Sequence, residues 1–437
     1  MDASAYFRGK KITIMGLGLL GRGVGDAKYL AKCGAELIVT DQKTREELAD
    51  SVAQLEAYPN ITFVLGEHRE EDFRGRDLIV KAAGVPLDSP YIAAAQEAGI
   101  PVRMSADLFM EYAGIPIVGI TGTRGKSTVT HMVHAILKEK GKPVVLGGNV
   151  RGVSTLALLP EVTPEHLAVL ELDSWQCQGL GYANLSPQVA VFTTFLADHA
   201  NYYQDDPGQY LADKANIFLY QSPDDTLVVG KQCAPILIEA FGEHIVSDLV
   251  IADESKLPAG WRLKVSGTHN RYNAALAFMA ARSLGIEDDV SRRALESFSG
   301  VPGRLELIAE KDGIRYYNDT TSTTPDAALA ALAALDPAKT VLIMGGADKG
   351  LDMEKLLAAL PQVKKVVALS GTGTDRVKDR LPESAEIFGE LGSAFAAARS
   401  AAAAGDAVLL SPGFASFGMF KNEYDRGDQF NAVVYSV

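Results

Sequence analysis

IPIVGITGTRGKST, Ile115 to Thr128, decides how the chain is to be read. An apolar run leads into Gly122 and Gly125, and Lys126, Ser127 and Thr128 follow at once. That order predicts a buried strand, a tight loop and the first turn of a helix. Glycines at 122 and 125 let successive backbone amides, Thr123 included, point at phosphate oxygens, and a helix beginning near Lys126 adds the positive end of its dipole. Lys126 would neutralise phosphate charge, and Ser127 or Thr128 would place a hydroxyl on a magnesium ion. The usual phosphate-loop spacing wants a glycine where this chain has Ile120, so the match is to a shorter TGTxGK[ST] form.

Upstream, MGLGLLGRG sets Gly16, Gly18 and Gly21 in GxGxxG spacing after the strand KITIMG, and Asp41 ends the next strand, ELIVTD. Taken alone the pattern fits a nicotinamide dinucleotide site, or a related fold that uses the same turn to hold the pyrophosphate or base of a nucleotide-linked substrate. With ITFVLG and DLIVKAAG it makes residues 1–100 a nucleotide-binding-like α/β domain. The strand at Ile117 opens a second series through PVVLGG, LAVLELD and VAVFTTF to the helix YNAALAFMAARSLG, a central domain over 101–300. The pattern restarts with IRYYND, TVLIMGG, KVVALSG and AVLLSPG, a third domain over 301–437. FAAARSAAAAG, Phe395 to Gly405, is expected to be helical on propensity.

With 437 residues the chain is too long for one ordinary core. Its 47% apolar and 22% charged composition is that of a globular protein, and no apolar run is long enough for a membrane helix. MDASAYFRGKK has no cleavage pattern behind it, so a cytoplasmic location is expected. Cys33, Cys177 and Cys233 are too few and too far apart for a disulfide frame or a zinc site. A net charge of −13 (42 basic against 55 acidic residues) disfavours nucleic acid as a partner.

Other residues carry chemistry only in context. Glu171, at the tip of LAVLEL, could reach a phosphate-bound magnesium or be a solvated strand end. Asp198 and His199 follow another strand, Lys214 reads as a surface residue of the helix LADKANIF, and Asp319 and Lys349 sit at strand-to-helix turns of the last domain. SPGFASFGMFKN, Ser411 to Asn422, is a glycine-rich aromatic loop that could bind a ligand or simply close the domain.

In this order TGTRGKST, GGN at 147–149, LELDSWQ, SGTHNRYNAALA, GVPGRLE, GGADKG and SPGFASFGMFKN resemble the Mur ligases along the whole chain, most closely those that add glutamate to a UDP-linked muramoyl-alanine. The resemblance implies three domains: a Rossmann-like one holding the UDP moiety, a P-loop ATPase-type one, and a Rossmann-like one for the incoming amino acid. It implies ATP-dependent amide formation between UDP-N-acetylmuramoyl-L-alanine and glutamate, as the D-enantiomer, through an acyl phosphate, in peptidoglycan precursor synthesis by a monomer that uses ATP and two magnesium ions. Residue by residue, it assigns Gly122, Thr123, Gly125, Lys126, Ser127 and Thr128 to the ATP phosphates and Asn270 and Asn273 to the adenine side. Arg304 and Asp319 become nucleotide contacts in the last domain. Ser127, Glu171, His199 and Lys214 become metal ligands, the last as a carbamylated lysine. Gly18, Leu19, Asp41 and Gln42 fall to the UDP moiety, Asn149 to the sugar and phosphate, and Thr323, Lys349, Ser416 and Phe417 to the acceptor. The chain departs from the family pattern at Arg124, Asp173, Asn201, Tyr202, Gly303, Thr321 and Glu423. Competing readings are the same ligation with L-glutamate or another amino acid, a folate polyglutamate-type ligase, a nicotinamide oxidoreductase built on Gly16, Gly18, Gly21 and Asp41, and a non-catalytic nucleotide-binding subunit.

Overall fold

The computed structural model describes residues 3–18, 21–86, 88–150, 152–196, 200–203, 206–265 and 267–436. The chain divides into two compact units, Met1–Leu263 with Thr268–Phe298, and Lys264–Gly267 with Ser299–Val437.

The first unit holds two sheets. Strands β1 (Lys11–Met15), β2 (Glu36–Asp41), β3 (Ile61–Leu65), β4 (Leu78–Lys81) and β5 (Val102–Arg103) are all parallel, in the order β3-β2-β1-β4-β5. Strands β6 (Ile117–Thr121), β7 (Val144–Gly148), β8 (Leu167–Glu171), β9 (Val189–Phe192), β10 (Thr226–Gly230) and β11 (Asp248–Ala252) are also parallel, in the order β11-β10-β9-β6-β8-β7. Helices cover both faces of such sheets, so the strands read as unbroken apolar runs, and β4, β6, β8 and β9 are buried along their full length. The helix Ser105–Ala113 joins the two cores: Leu108 and Tyr112 enter the first, Ala106 and Phe109 the second.

The second unit is one sheet of β12 (Glu306–Lys311), β13 (Ile314–Asn318), β14 (Thr340–Gly345), β15 (Lys365–Leu369), β16 (Glu386–Phe388) and β17 (Ala407–Leu410), in the order β12-β13-β17-β14-β15-β16. Only β12 runs antiparallel, at the edge.

Strands β5, β10, β11, β12 and β16 add to those expected, and most are short or at a sheet edge. The alanine-rich segment corrects the expectation. Its helix runs Leu391–Ala401 and stops although alanines continue, with Ala402 extended at φ −90° and ψ 147°. Tertiary bonds override propensity there: the Ala403 amide donates to Asp406 Oδ2 (2.7 Å), and the Gly405 amide donates to the Gly313 carbonyl (2.8 Å).

In open α/β sheets the loops that leave the carboxyl ends of neighbouring strands make the binding crevice. Two such loops run into helices with glycine at the cap. Gly21 (φ 81°) precedes helix Arg22–Lys32 and Gly125 (φ 89°) precedes helix Lys126–Glu139, and neither helix has a side-chain cap. A helix start of this kind points its first-turn amides toward any anion bound there.

Candidate active site

The loop after β6 is held from below by the loop after β9. The Thr123 amide donates to the Thr194 carbonyl (2.7 Å), the Arg124 amide donates to Thr194 Oγ1 (2.9 Å), and Thr193 Oγ1 donates to the Arg124 carbonyl (2.6 Å). Gly122 has φ 134°, and a Cβ there would fall 2.1 Å from Thr193 Oγ1, so no other residue fits. A Cβ on Gly125 would meet Asn273 Oδ1 at 2.5 Å, which places the buried Asn273 against this loop; Asn270 lies one turn earlier on the same helix, Thr268–Ser283. Lys126 folds back to donate to the carbonyls of Gly122 (3.0 Å) and Thr123 (3.2 Å). Ser127 is buried in the first helical turn and Thr128 beside it is half-buried.

Lys214 is not the surface residue its helix suggested. It is 1% exposed, donates to the Gly122 carbonyl (3.0 Å) and Thr121 Oγ1 (3.4 Å), and lies 4.9 Å over the Tyr210 ring. Glu171 ends β8 beside Ile120 of β6 and is buried. Asn149 clasps it: the Asn149 amide donates to the Glu171 carbonyl (2.6 Å) and its Nδ2 to Glu171 Oε1 (3.5 Å), while its Oδ1 accepts from Arg22 Nη1 (2.9 Å). His199 and Leu19 lie outside the described residues. Among the described residues no three His, Cys, Asp or Glu side chains group to hold a metal. A buried carboxylate at the end of β8 and a hydroxyl in the first helical turn after the neighbouring β6 are ligand types that suit magnesium, which takes one or two protein ligands and completes its shell with phosphate oxygens and water.

A cavity of about 240 Å³ runs from Gly16, Leu17 and Gly18 past Arg22, Asp26 and Lys81 to Gly148 and Thr155. Asp41 stands beside it, accepting from the Gly18 amide (3.0 Å) through one carboxylate oxygen and from the Lys43 amide (3.0 Å) through the other; Gln42 is exposed.

In the second unit the loops after β13, β14 and β17, which are neighbours in the sheet, bring residues far apart in sequence together. Lys349 donates to Thr323 Oγ1 (2.9 Å), Ser411 donates to Asp319 Oδ2 (2.7 Å), and Ala347 pairs with Ala415 beside the buried Ser416. Burial raises the Asp319 pKa to about 6, against hydrogen bonds from Ser322, Ser411 and the Leu305 amide and the nearby charge of Arg304, which is itself exposed. Phe417 is 59% exposed.

Three stretches match known domains: residues 10–104 the Mur ligase MurD-like N-terminal domain, 120–257 the Mur ligase middle domain, and 303–414 the Mur ligase glutamate ligase domain. A UDP-N-acetylmuramoylalanine--D-glutamate ligase from Roseiflexus sp. (strain RS-1) is 39% identical, covering 98% of this chain and 99% of its own. The chain belongs to the Mur ligase family. A Streptococcus thermophilus relative with the same name is 33% identical over 99% of each chain. Among solved structures, a UDP-N-acetylmuramate-alanine ligase from Thermotoga maritima shares the fold at 20% identity (TM-score 0.61, 98% of this chain and 99% of that one).

Most of the departures from the Mur ligase pattern make local contacts. Asp173 caps the helix Ser174–Ala183, accepting from the Gln176 amide (2.8 Å). Gly303 adopts φ 70°, and Thr321 donates through its Oγ1 to the Gly303 carbonyl (2.8 Å), so the two changes form one contact. The charge of Glu423 acts on two nearby cations, Lys349 and Arg426. Tyr202 donates to Gln178 Oε1 (3.2 Å), Arg124 is exposed, and nothing in the structure explains the arginine there.

Sequence reasoning passed over Arg22, Asp26, Lys81 and Arg426. Arg22 directly follows the glycine turn and could have been flagged on that ground. The other three matter because they are buried, which no local pattern discloses.

Proposed function

We propose that this Mur ligase uses ATP to join glutamate, as the D-enantiomer, to UDP-N-acetylmuramoyl-L-alanine, releasing ADP and phosphate, in peptidoglycan precursor synthesis. The observation that carries this reading is that Lys126 and Lys214 share the Gly122 carbonyl in the loop after β6, with Ser127 in the helical turn that follows and Glu171 buried at the end of the adjacent β8. The full-length relatives named for that reaction supply its substrates. A carboxylate and an amine do not condense in water, because the carboxylate oxygen is a poor leaving group. Transfer of the γ-phosphoryl group to the alanyl carboxylate gives an acyl phosphate whose leaving group is phosphate. The glutamate amine then attacks the acyl carbon, and the tetrahedral adduct collapses to the amide as phosphate departs.

Lys126 moves from its own loop carbonyls to the β- and γ-phosphates, and the first-turn amides of the Lys126–Glu139 helix hold the same oxygens. Magnesium, held through Ser127 and Glu171, with His199 and a carbamylated Lys214 at a second ion, would offset charge on the transferring group. By the family resemblance Asn273 and Asn270 serve the adenine side, and Arg304 and Asp319 serve the nucleotide. Gly18, Leu19, Asp41 and Gln42 hold the UDP moiety and Asn149 the sugar and phosphate. Thr323, Lys349, Ser416 and Phe417 hold the acceptor's carboxylates. Domain boundaries near residues 100 and 300, a monomeric state and action in the cytoplasm complete the reading; among the described residues no helix is long and apolar enough to cross a membrane.

The test is phosphate release with UDP-N-acetylmuramoyl-L-alanine across a panel of D- and L-amino acids. Release confined to D-glutamate is expected. Release with L-glutamate on a folate acceptor, or none with any acceptor, would overturn the reading. The nicotinamide alternative predicts an absorbance change at 340 nm instead.

A further inference from the structure

Lys81 is the last residue of β4, opposite Met15 of β1, so the loops Gly16–Gly18 and Ala82–Gly84 leave adjacent strands side by side. They touch: a Cβ on Gly16 would stand 2.9 Å from the Cβ of Ala82. The Lys81 side chain lines the cavity between these loops and is 3% exposed. Its hydrogen bond is to the Val85 carbonyl (2.9 Å), and two of the three ammonium donors have no acceptor among the described residues.

Three carboxylates act on Lys81 electrostatically, Asp173, Asp107 and Asp213, and each is engaged elsewhere. Asp107 takes Arg103 Nε (2.7 Å) and the Met104 amide (2.8 Å), Asp173 caps its helix, and Asp213 takes Gln178 and Gln209 Nε2 (2.9 Å). None forms an ion pair with Lys81. Within the cavity itself, Asp26 is held by the hydroxyls of Ser154 (2.6 Å) and Ser105 (2.7 Å), and Arg22 is turned onto Asn149 and the Val150 carbonyl. Burying an ammonium with one neutral acceptor is costly, and burial lowers its pKa to about 8 while leaving it mostly charged at neutral pH. An anion in the cavity would complete its coordination. The neighbouring first-turn amides at the start of helix Arg22–Lys32 select the same kind of ligand at the same end.

We propose that Lys81 grips the diphosphate of the UDP-linked substrate. This rests on the proposed UDP site and adds to it a side chain that the sequence pattern did not assign. Lys81 acts in binding and leaves the phosphoryl-transfer groups untouched.

The experiment compares UDP with uridine on the full-length chain by calorimetry, in wild type, Lys81→Met and Lys81→Arg. Wild type is expected to prefer UDP. In Lys81→Met that preference should shrink by roughly 10- to 100-fold while uridine affinity holds, and Lys81→Arg should keep most of it. In kinetics the Lys81→Met effect should fall on KM for the UDP-linked substrate and leave KM for ATP in place. An unchanged UDP-to-uridine ratio in Lys81→Met overturns the proposal; wild type that binds neither UDP nor the UDP-linked substrate overturns the underlying site reading instead. Should Lys81→Met not fold, reductive methylation of the wild-type chain decides. Labelling of Lys81, read by peptide mass spectrometry, should fall in UDP and not in uridine, and equal labelling in both refutes the role.

Discussion

Lys126 turns its ammonium onto its own loop, bonding the carbonyls of Gly122 and Thr123, and in the proposed ATP site phosphate takes over those bonds. On the proposed reading Lys126→Ala removes the charge that the transferring phosphoryl group meets and leaves the proposed UDP cavity intact. Phosphate release should fall below detection while UDP affinity, measured by calorimetry, is unchanged. Asp26 gives a second test at this scale. Burial raises its pKa from 3.8 to about 6, so between those values the folded chain holds a proton that the unfolded chain releases. Stability therefore falls as pH rises from about 4 to about 6, and the cost persists above. Asp26→Asn accepts the same two hydroxyl bonds without a charge. It should melt higher than wild type at pH 8, by at most about 3 kcal/mol in stability, and the difference should close by pH 4. Lys126 was legible in the sequence because its meaning lies in contiguous neighbours, Gly125 before it and Ser127 after. Asp26 and Lys81 sit on ordinary helix and strand positions, and only the packing of other segments over them makes them unusual.

The strands of the two parallel sheets were largely readable because both faces are covered and apolar runs result, as in IVGIT and LAVLE. Helix ends were harder, as at Ala401, where Asp406 and Gly313 decide the stop from other parts of the fold. The C-terminal helix Glu423–Tyr435 shows the same dependence on packing. It carries Arg426, fully buried, which donates to the carbonyls of Thr320 (2.8 Å) and Phe414 (3.3 Å) and to Thr320 Oγ1 (3.2 Å). One side chain thus fixes the loops that bear Thr321, Thr323 and Ser416. Arg426→Met strands those acceptors in a dry site and should cost about 3 kcal/mol in denaturant unfolding. In whatever folds, KM for glutamate should rise while KM for the UDP-linked substrate stays put.

Across the whole molecule the three sheets repeat one plan, with working loops at the carboxyl ends of central strands, and this plan follows from the alternation of apolar runs and helices. How separate loops meet does not follow from it. GGN at 147–149 marked Asn149 as a contact residue, but nothing local revealed that its amide bridges Arg22, at the first glycine loop, and Glu171, beside the second. Two ligand sites joined through one side chain need not fill independently. Any preference that ATP gains from a filled UDP cavity must be returned in equal measure, since the free energy of the doubly liganded state does not depend on which ligand came first. Measured as a thermodynamic square, wild type should show ATP and the UDP-linked substrate tightening each other's binding by the same factor. Asn149→Ala should bring that factor close to one, even where each ligand still binds alone. How strongly each substrate calls for the other would then be a property of a single amide group.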